Sequence, residues 1–238
     1  MMNDAAQESR RPGAGFVVAA LGAIGVLLAL GTWQLDRLQW KRALVAERQA
    51  IASQPPTNVT AAAAVTVTDY QPVSLTGTLR HDAEMLIGPR VRKGRPGWRV
   101  VTPLGLAGGG LVLVDRGWVS VKHKTPVLRS AGQVTGVVTI VGFARLPGPR
   151  GRFMPDNEPE KGQWFRVSPD EMAAARKLDH VAGWWLVAGA APNPGGWPKG
   201  GAAIAALPDN HLRYAFIWYA LALAASVIAT MVWVRGRR

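Results

Sequence analysis

Two apolar stretches lie near opposite ends of this chain: residues 14–35 (AGFVVAALGAIGVLLALGTWQL) and 214–234 (YAFIWYALALAASVIATMVWV). Neither contains a charge, and the segment between them is too polar to enter a bilayer. A helix needs about 20 predominantly apolar residues to cross a hydrocarbon core of about 30 Å, and both stretches reach that length. The sequence therefore predicts a membrane protein with two transmembrane α-helices, N- and C-terminal, whose intervening domain has both ends at one membrane face. The expected boundaries are a tail at 1–13, a first span at 14–35, a helical extension at 36–52, a β-rich domain at 53–210, a second span at 211–234 and a tail at 235–238.

Orientation follows from short-segment Arg and Lys, because long domains cross regardless of their charge. Arg10 and Arg11 precede the first span, and Arg235, Arg237 and Arg238 follow the second. Both tails are expected in the cytoplasm and the domain outside, which in a bacterial inner membrane means the periplasm. The first apolar run exceeds a signal-peptide core and no small-residue cleavage site follows it, so it reads as a retained anchor. The short leading tail lacks the Arg- and Ser-rich length of a mitochondrial transit peptide, which favours a bacterial source. The net charge is +13 and there is no cysteine. Thiolate metal sites and c-type haem attachment are thereby excluded. His81, His123, His180 and His211 are the four histidines.

Beyond the first span, Leu38, Ala43, Val45 and Ile51 are spread among charges, so residues 36–52 continue as a helix outside lipid until Pro55-Pro56 stops it. Val73, Leu75, Gly77 and Leu79 alternate with polar or small residues, the period of a strand. Residues 85–87 and 98–102 read as short strands separated by a basic loop at 90–97. Gly108-Gly109-Gly110 turns into an apolar run at 111–114, and 134–143 and 184–187 are further strand candidates. Ser168-Pro169-Asp170-Glu171 has the pattern of a capping box opening one short helix. Residues 192–201 read as a turn-rich linker, and Asp209 or Asn210 as a cap for the second span. Many short strands with Gly and Pro between them predict a mainly antiparallel β domain, barrel- or sandwich-like.

Trp33, Arg37 and Trp40 recur at helical spacing, near Gln34 and Lys41, where the first helix leaves lipid. The pattern suits an aromatic anchor belt. The other reading is a site for an anionic amphiphile, with Arg37 against a carboxylate. His211, Ala215, Trp218 and Ala222 form one stripe on the second helix, flanked by Arg213, Tyr214 and Tyr219. Its small residues let a helix or a bulky group approach closely. His211 there is either a solvated headgroup-level histidine or a metal ligand. Asp115-Arg116-Gly117-Trp118 reads as a turn with an internal Asp–Arg pair. Arg90, Arg92, Lys93, Arg95 and Arg99 form the basic loop, either simply solvated or facing acidic partners or anionic lipid. No G-x-S-x-G, H-E-x-x-H or P-loop occurs. Nucleic acid is an unexpected partner for a domain facing away from the cytoplasm.

Gly31-Thr32-Trp33-Gln34 with Arg37 and Trp40-Lys41, then Asp115-Arg116-Gly117-Trp118, then Asn210-His211-Leu212 with Tyr214-Ala215 and Trp218-Tyr219 carry a family resemblance. In order, spacing and terminal spans the chain resembles the surfeit locus protein family of cytochrome c oxidase assembly factors, from about residue 31 to 233. The resemblance implies a non-enzymatic role in haem-copper oxidase biogenesis: binding haem a and helping deliver it to subunit I. It places the proposed iron ligand at His211. In that picture the propionates meet Arg37 or Arg213 and the N–H groups opening the second helix, and Trp33, Trp218 and Tyr214 line the cofactor. Subunit I, haem A synthase and membrane lipids are the implied partners. A scaffold that stabilises oxidase subunits without touching haem is the alternative, and a membrane-tethered periplasmic enzyme a more distant one.

Overall fold

The computed structural model describes residues 13–62, 66–149, 151–201 and 209–236. The arginines expected to orient the tails, Arg235 excepted, lie outside them. The chain divides into two compact units, one of Met1–Ala46 with Leu207–Arg238 and one of Glu47–Ala206.

The first unit is built on two long helices. α1 (Ala14–Ala52) runs without interruption through the apolar stretch and its polar continuation. It ends where Ser53 turns back on Gln49 O, through both its N–H and its hydroxyl, just before Pro55-Pro56. α3 (His211–Arg235) is the second. Both are long and apolar enough to cross a membrane. The Asp209 carboxylate accepts from the His211 N–H at 3.2 Å, whereas the Asn210 side chain makes no capping bond.

The second unit is a β barrel. Its strands are β1 (Thr57–Val59), β2 (Pro72–Leu79), β3 (Met85–Arg92), β4 (Arg95–Leu106), β5 (Leu111–Ser120), β6 (Val137–Arg145) and β7 (Val181–Ala188). The sheet runs β1-β2-β6-β7-β5-β4-β3, and β2 also pairs with β4, which closes five strands into a ring. Pairing is antiparallel except for β1–β2 and β5–β7. Closure pairs the five ring strands on both sides, and β1 and β3 flank the ring as the outer strands.

A barrel this small is filled by its own side chains. Val73, Leu75, Leu104, Val112, Val114 and Leu186 occupy the inside at 0 % exposure. A second cluster of Met85, Ile87, Val101, Leu113, Trp164 and Met172 packs on the outer face, reaching into α2 (Pro169–Arg176). On β5, Val112 and Val114 point into one cluster and Leu113 into the other. Burial on both faces explains why 111–114 is continuously apolar rather than alternating.

Four local expectations are corrected. Residues 90–97 are not a loop: β3 and β4 extend through them as a hairpin whose two-residue turn is Lys93-Gly94, with φ of +49° and +74°. Both residues in the left-handed region match the twist of the flanking strands. Asp115-Arg116-Gly117-Trp118 is no turn but the middle of β5, with a register shift opposite Val100 and Val101 and Gly117 at φ +123°. Ser168 stands at the N-cap of α2, yet its hydroxyl bonds the Glu171 carboxylate at 2.9 Å instead of a backbone N–H. Residues 192–201 are not a free linker. Lys199 exchanges backbone hydrogen bonds with Trp118 at 2.8 and 2.9 Å, and the Asn193 amide donates to Pro198 O at 2.7 Å.

Candidate functional site

Helical spacing gives α1 two faces where it leaves the apolar stretch. Gly31, Gln34 and Leu38 fall at i, i+3 and i+7, and Gly31 and Leu38 are buried. A Cβ on Gly31 would come within 2.8 Å of the Tyr219 ring, so glycine is what lets that ring lie against α1. The Tyr219 hydroxyl lies 3.1 Å from Thr32 Oγ1. One turn closer to the polar end, His211 Nδ1 lies 2.8 Å from Gln34 Oε1. Ala215 and Ala222 are buried along the same stripe of α3.

The Gln34–His211 bond fixes more than position. A carboxamide oxygen only accepts, so Nδ1 is the donor in this contact, and the neutral tautomer that makes it presents Nε2 as the coordinating nitrogen. An imidazole held by an outer partner through one nitrogen is oriented to coordinate through the other. His211 is half-buried rather than sealed.

Trp33, Arg37 and Trp40 stand on an adjoining, exposed face of α1, Arg37 one turn beyond Gln34. Trp33 and Trp40 are more than half exposed. The Arg37 guanidinium lies 4.1 Å above the Trp40 ring, and Arg213 lies 5.6 Å from the Tyr214 ring. Of the residues singled out from sequence, the structure therefore joins His211 to Gln34. Arg37 and Arg213 each rest on an aromatic ring of their own helix. Trp218 is half-buried on the stripe and Tyr214 is exposed. Sequence reasoning missed Gln34 as the partner of His211 and Tyr219 as the ring on Gly31. The available signal was the i, i+3, i+7 recurrence of Gly31, Gln34 and Leu38.

The Asp115–Trp118 segment serves the barrel wall. Asp115 pairs with Arg99, not with its neighbour Arg116, and accepts from the Gly117 N–H at 3.1 Å. Burial pushes its carboxyl above the usual range, against the opposing pull of Arg99. Arg116 is 2 % exposed and donates to Gly132 O and to Asn193 Oδ1. Burial lowers its pKa to about 10. Trp118 Nε1 donates to Arg90 O at 3.0 Å.

His81 and His123 are engaged elsewhere. His81 Nε2 bonds Val134 O, and His123 Nδ1 bonds Ser120 Oγ, each at 2.9 Å. The backbone of His180 is left-handed, with φ +56°. Among the described residues no three His, Asp or Glu side chains gather as a metal cage. What His211 offers a ligand is a single imidazole.

A closed barrel between two helices of membrane-spanning length, with an oriented imidazole where the second begins, defines the class of chain. Residues 21–223 match the SURF1 family profile. The chain is 36% identical to a SURF1-like protein of Monosiga brevicollis over 240 residues, covering 95% of this chain and 89% of that protein. It is 34% identical over 215 residues to surfeit locus protein 1 of Rattus norvegicus, covering 84% and 69%. Against the Homo sapiens protein of the same name the identity is 31% over 224 residues, covering 87% and 74%. The chain belongs to the SURF1 family.

Proposed function

We propose that this chain is a membrane-anchored, non-catalytic assembly factor for cytochrome c oxidase that binds haem a and assists its insertion into subunit I. The observation that carries this reading is the 2.8 Å bond between His211 and Gln34. It leaves Nε2 of a half-buried imidazole able to bind iron, and a porphyrin supplies the remaining in-plane nitrogens itself. When bound, the haem would contribute an iron accepting one imidazole and two propionates seeking cations. His211 would hold the iron. Arg37 and Arg213 are the cations at this end of the two helices, and Trp33, Trp218 and Tyr214 offer ring faces to an apolar ligand.

In this reading α1 and α3 span the bacterial inner membrane, both termini are cytoplasmic and the barrel is periplasmic. Subunit I and haem A synthase are the protein partners that such a task requires, and lipid surrounds the helices. The test is the visible spectrum of the full chain purified from cells that also express a haem A synthase. Retained a-type haem in the native chain, with the Soret band lost or shifted in His211→Ala, is expected. An unchanged Soret band in His211→Ala would rule out this ligand. A native chain that never carries haem would favour the scaffold instead.

A further inference from the structure

The sequence places five cations at residues 90–99, and the structure divides them. Arg90 donates to Phe165 O and Arg99 pairs with Asp115. Arg92, Lys93 and Arg95 instead join Lys122 and Lys199 around a groove of about 650 Å³ at the tip of the β3–β4 hairpin. No carboxylate lines it, and among the described residues none of these five cations forms an ion pair. The floor is rigid. The His123 ring stacks on Trp197 at 4.0 Å and 18°, and Lys199 lies 4.7 Å over Trp197. Arg92 is braced on Lys199 O at 2.9 Å. Like charges held this close repel one another, and that cost is offset when an anion enters.

Two exposed apolar side chains adjoin the cations, Val91 at 71% and Val121 at 57% exposure. Cations interleaved with exposed aliphatic and aromatic groups match the boundary between headgroups and acyl chains better than they match an acidic protein surface. The chain supplies that boundary through its two helices of spanning length.

We infer that this groove is a docking surface for anionic phospholipid headgroups, with Lys93, Arg95 and Lys122 as its outer contacts. The inference rests on the membrane anchoring proposed above and not on the haem site. Each surface cation adds about fivefold to partitioning toward an anionic bilayer.

The test is hydrogen exchange of the full chain in nanodiscs of phosphatidylcholine alone or mixed with phosphatidylglycerol. Peptides covering 91–95 and 119–124 should exchange at least about fivefold more slowly with phosphatidylglycerol. The slowing should vanish in high salt and in the triple variant Lys93→Gln, Arg95→Gln, Lys122→Gln. These three side chains are exposed, so exchange in β5 and β7 of the variant should match the native chain. Equal exchange in the two lipids would overturn the inference. So would the same slowing in phosphatidylcholine discs on adding inorganic phosphate, which marks a free-anion pocket, or only on adding polyglutamate, which marks an acidic protein partner. A chain that fails to enter discs at all would overturn the membrane anchoring itself.

Discussion

Glu84 and Arg129 show how a charge sits inside this barrel unit. Both carboxylate oxygens accept from the guanidinium, and the Arg129 side chain is 0% exposed. Removing one member of a buried pair strands the other, at a cost of about 3–5 kcal/mol. Glu84→Ala should therefore lower the unfolding midpoint of the barrel sharply, while Asp82→Asn, in the exposed pair with Arg80, should leave it unchanged. Equal effects in a denaturant series would contradict this. Asp115 gives a pH signature. Its carboxyl is raised in the folded chain, so the folded state keeps a proton that the unfolded state begins to lose near pH ~4. Its contribution to stability is complete below that pH and is lost as pH climbs through the folded value. Asp115→Asn, which never ionises, should flatten this part of the profile in thermal unfolding; an unaltered slope would argue against it.

Among the elements, the contact between α1 and α3 depends most on one small residue. A Leu at Gly31 has to displace the Tyr219 ring, and overpacking of this kind costs about 1–3 kcal/mol. Gly31→Leu should lower thermal stability in detergent and disturb the Gln34–His211 bond next to it, read as a changed chemical shift of the His211 ring nitrogens. An unperturbed ring would show that the two contacts are independent. The helices and most strands were legible in the sequence because hydrophobic period and length dominate there. Residues 90–97 and 115–118 were not, because charged runs resemble solvated turns until their partners are known. Arg99, two residues along β4 from Val101, the register partner of Asp115, pairs with Asp115, and the Gly132 carbonyl accepts from Arg116 inside the wall. Those partners are distant in sequence, so no local pattern announces them. At the candidate site the histidine was legible from its stripe, whereas its bond to Gln34 spans 177 positions and emerged only with the fold.

In chain order the barrel falls between two apolar helices, and the proposed task depends on how those helices thread the membrane. Alkaline carbonate should leave the chain in the membrane pellet, and a reporter fused at Gly142 should read out as periplasmic; release of the chain, or a cytosolic reporter, would remove the setting for the His211 site. The haem reading makes one demand on the cell that a passive membrane protein would not. The most direct measurement is the visible spectrum of membranes from a strain lacking this gene, complemented with either the native chain or His211→Ala. Loss of the a-type oxidase signal, restored by the native chain and poorly by His211→Ala, is the expected result. A full a-type signal without the gene, or full restoration by His211→Ala, would contradict it.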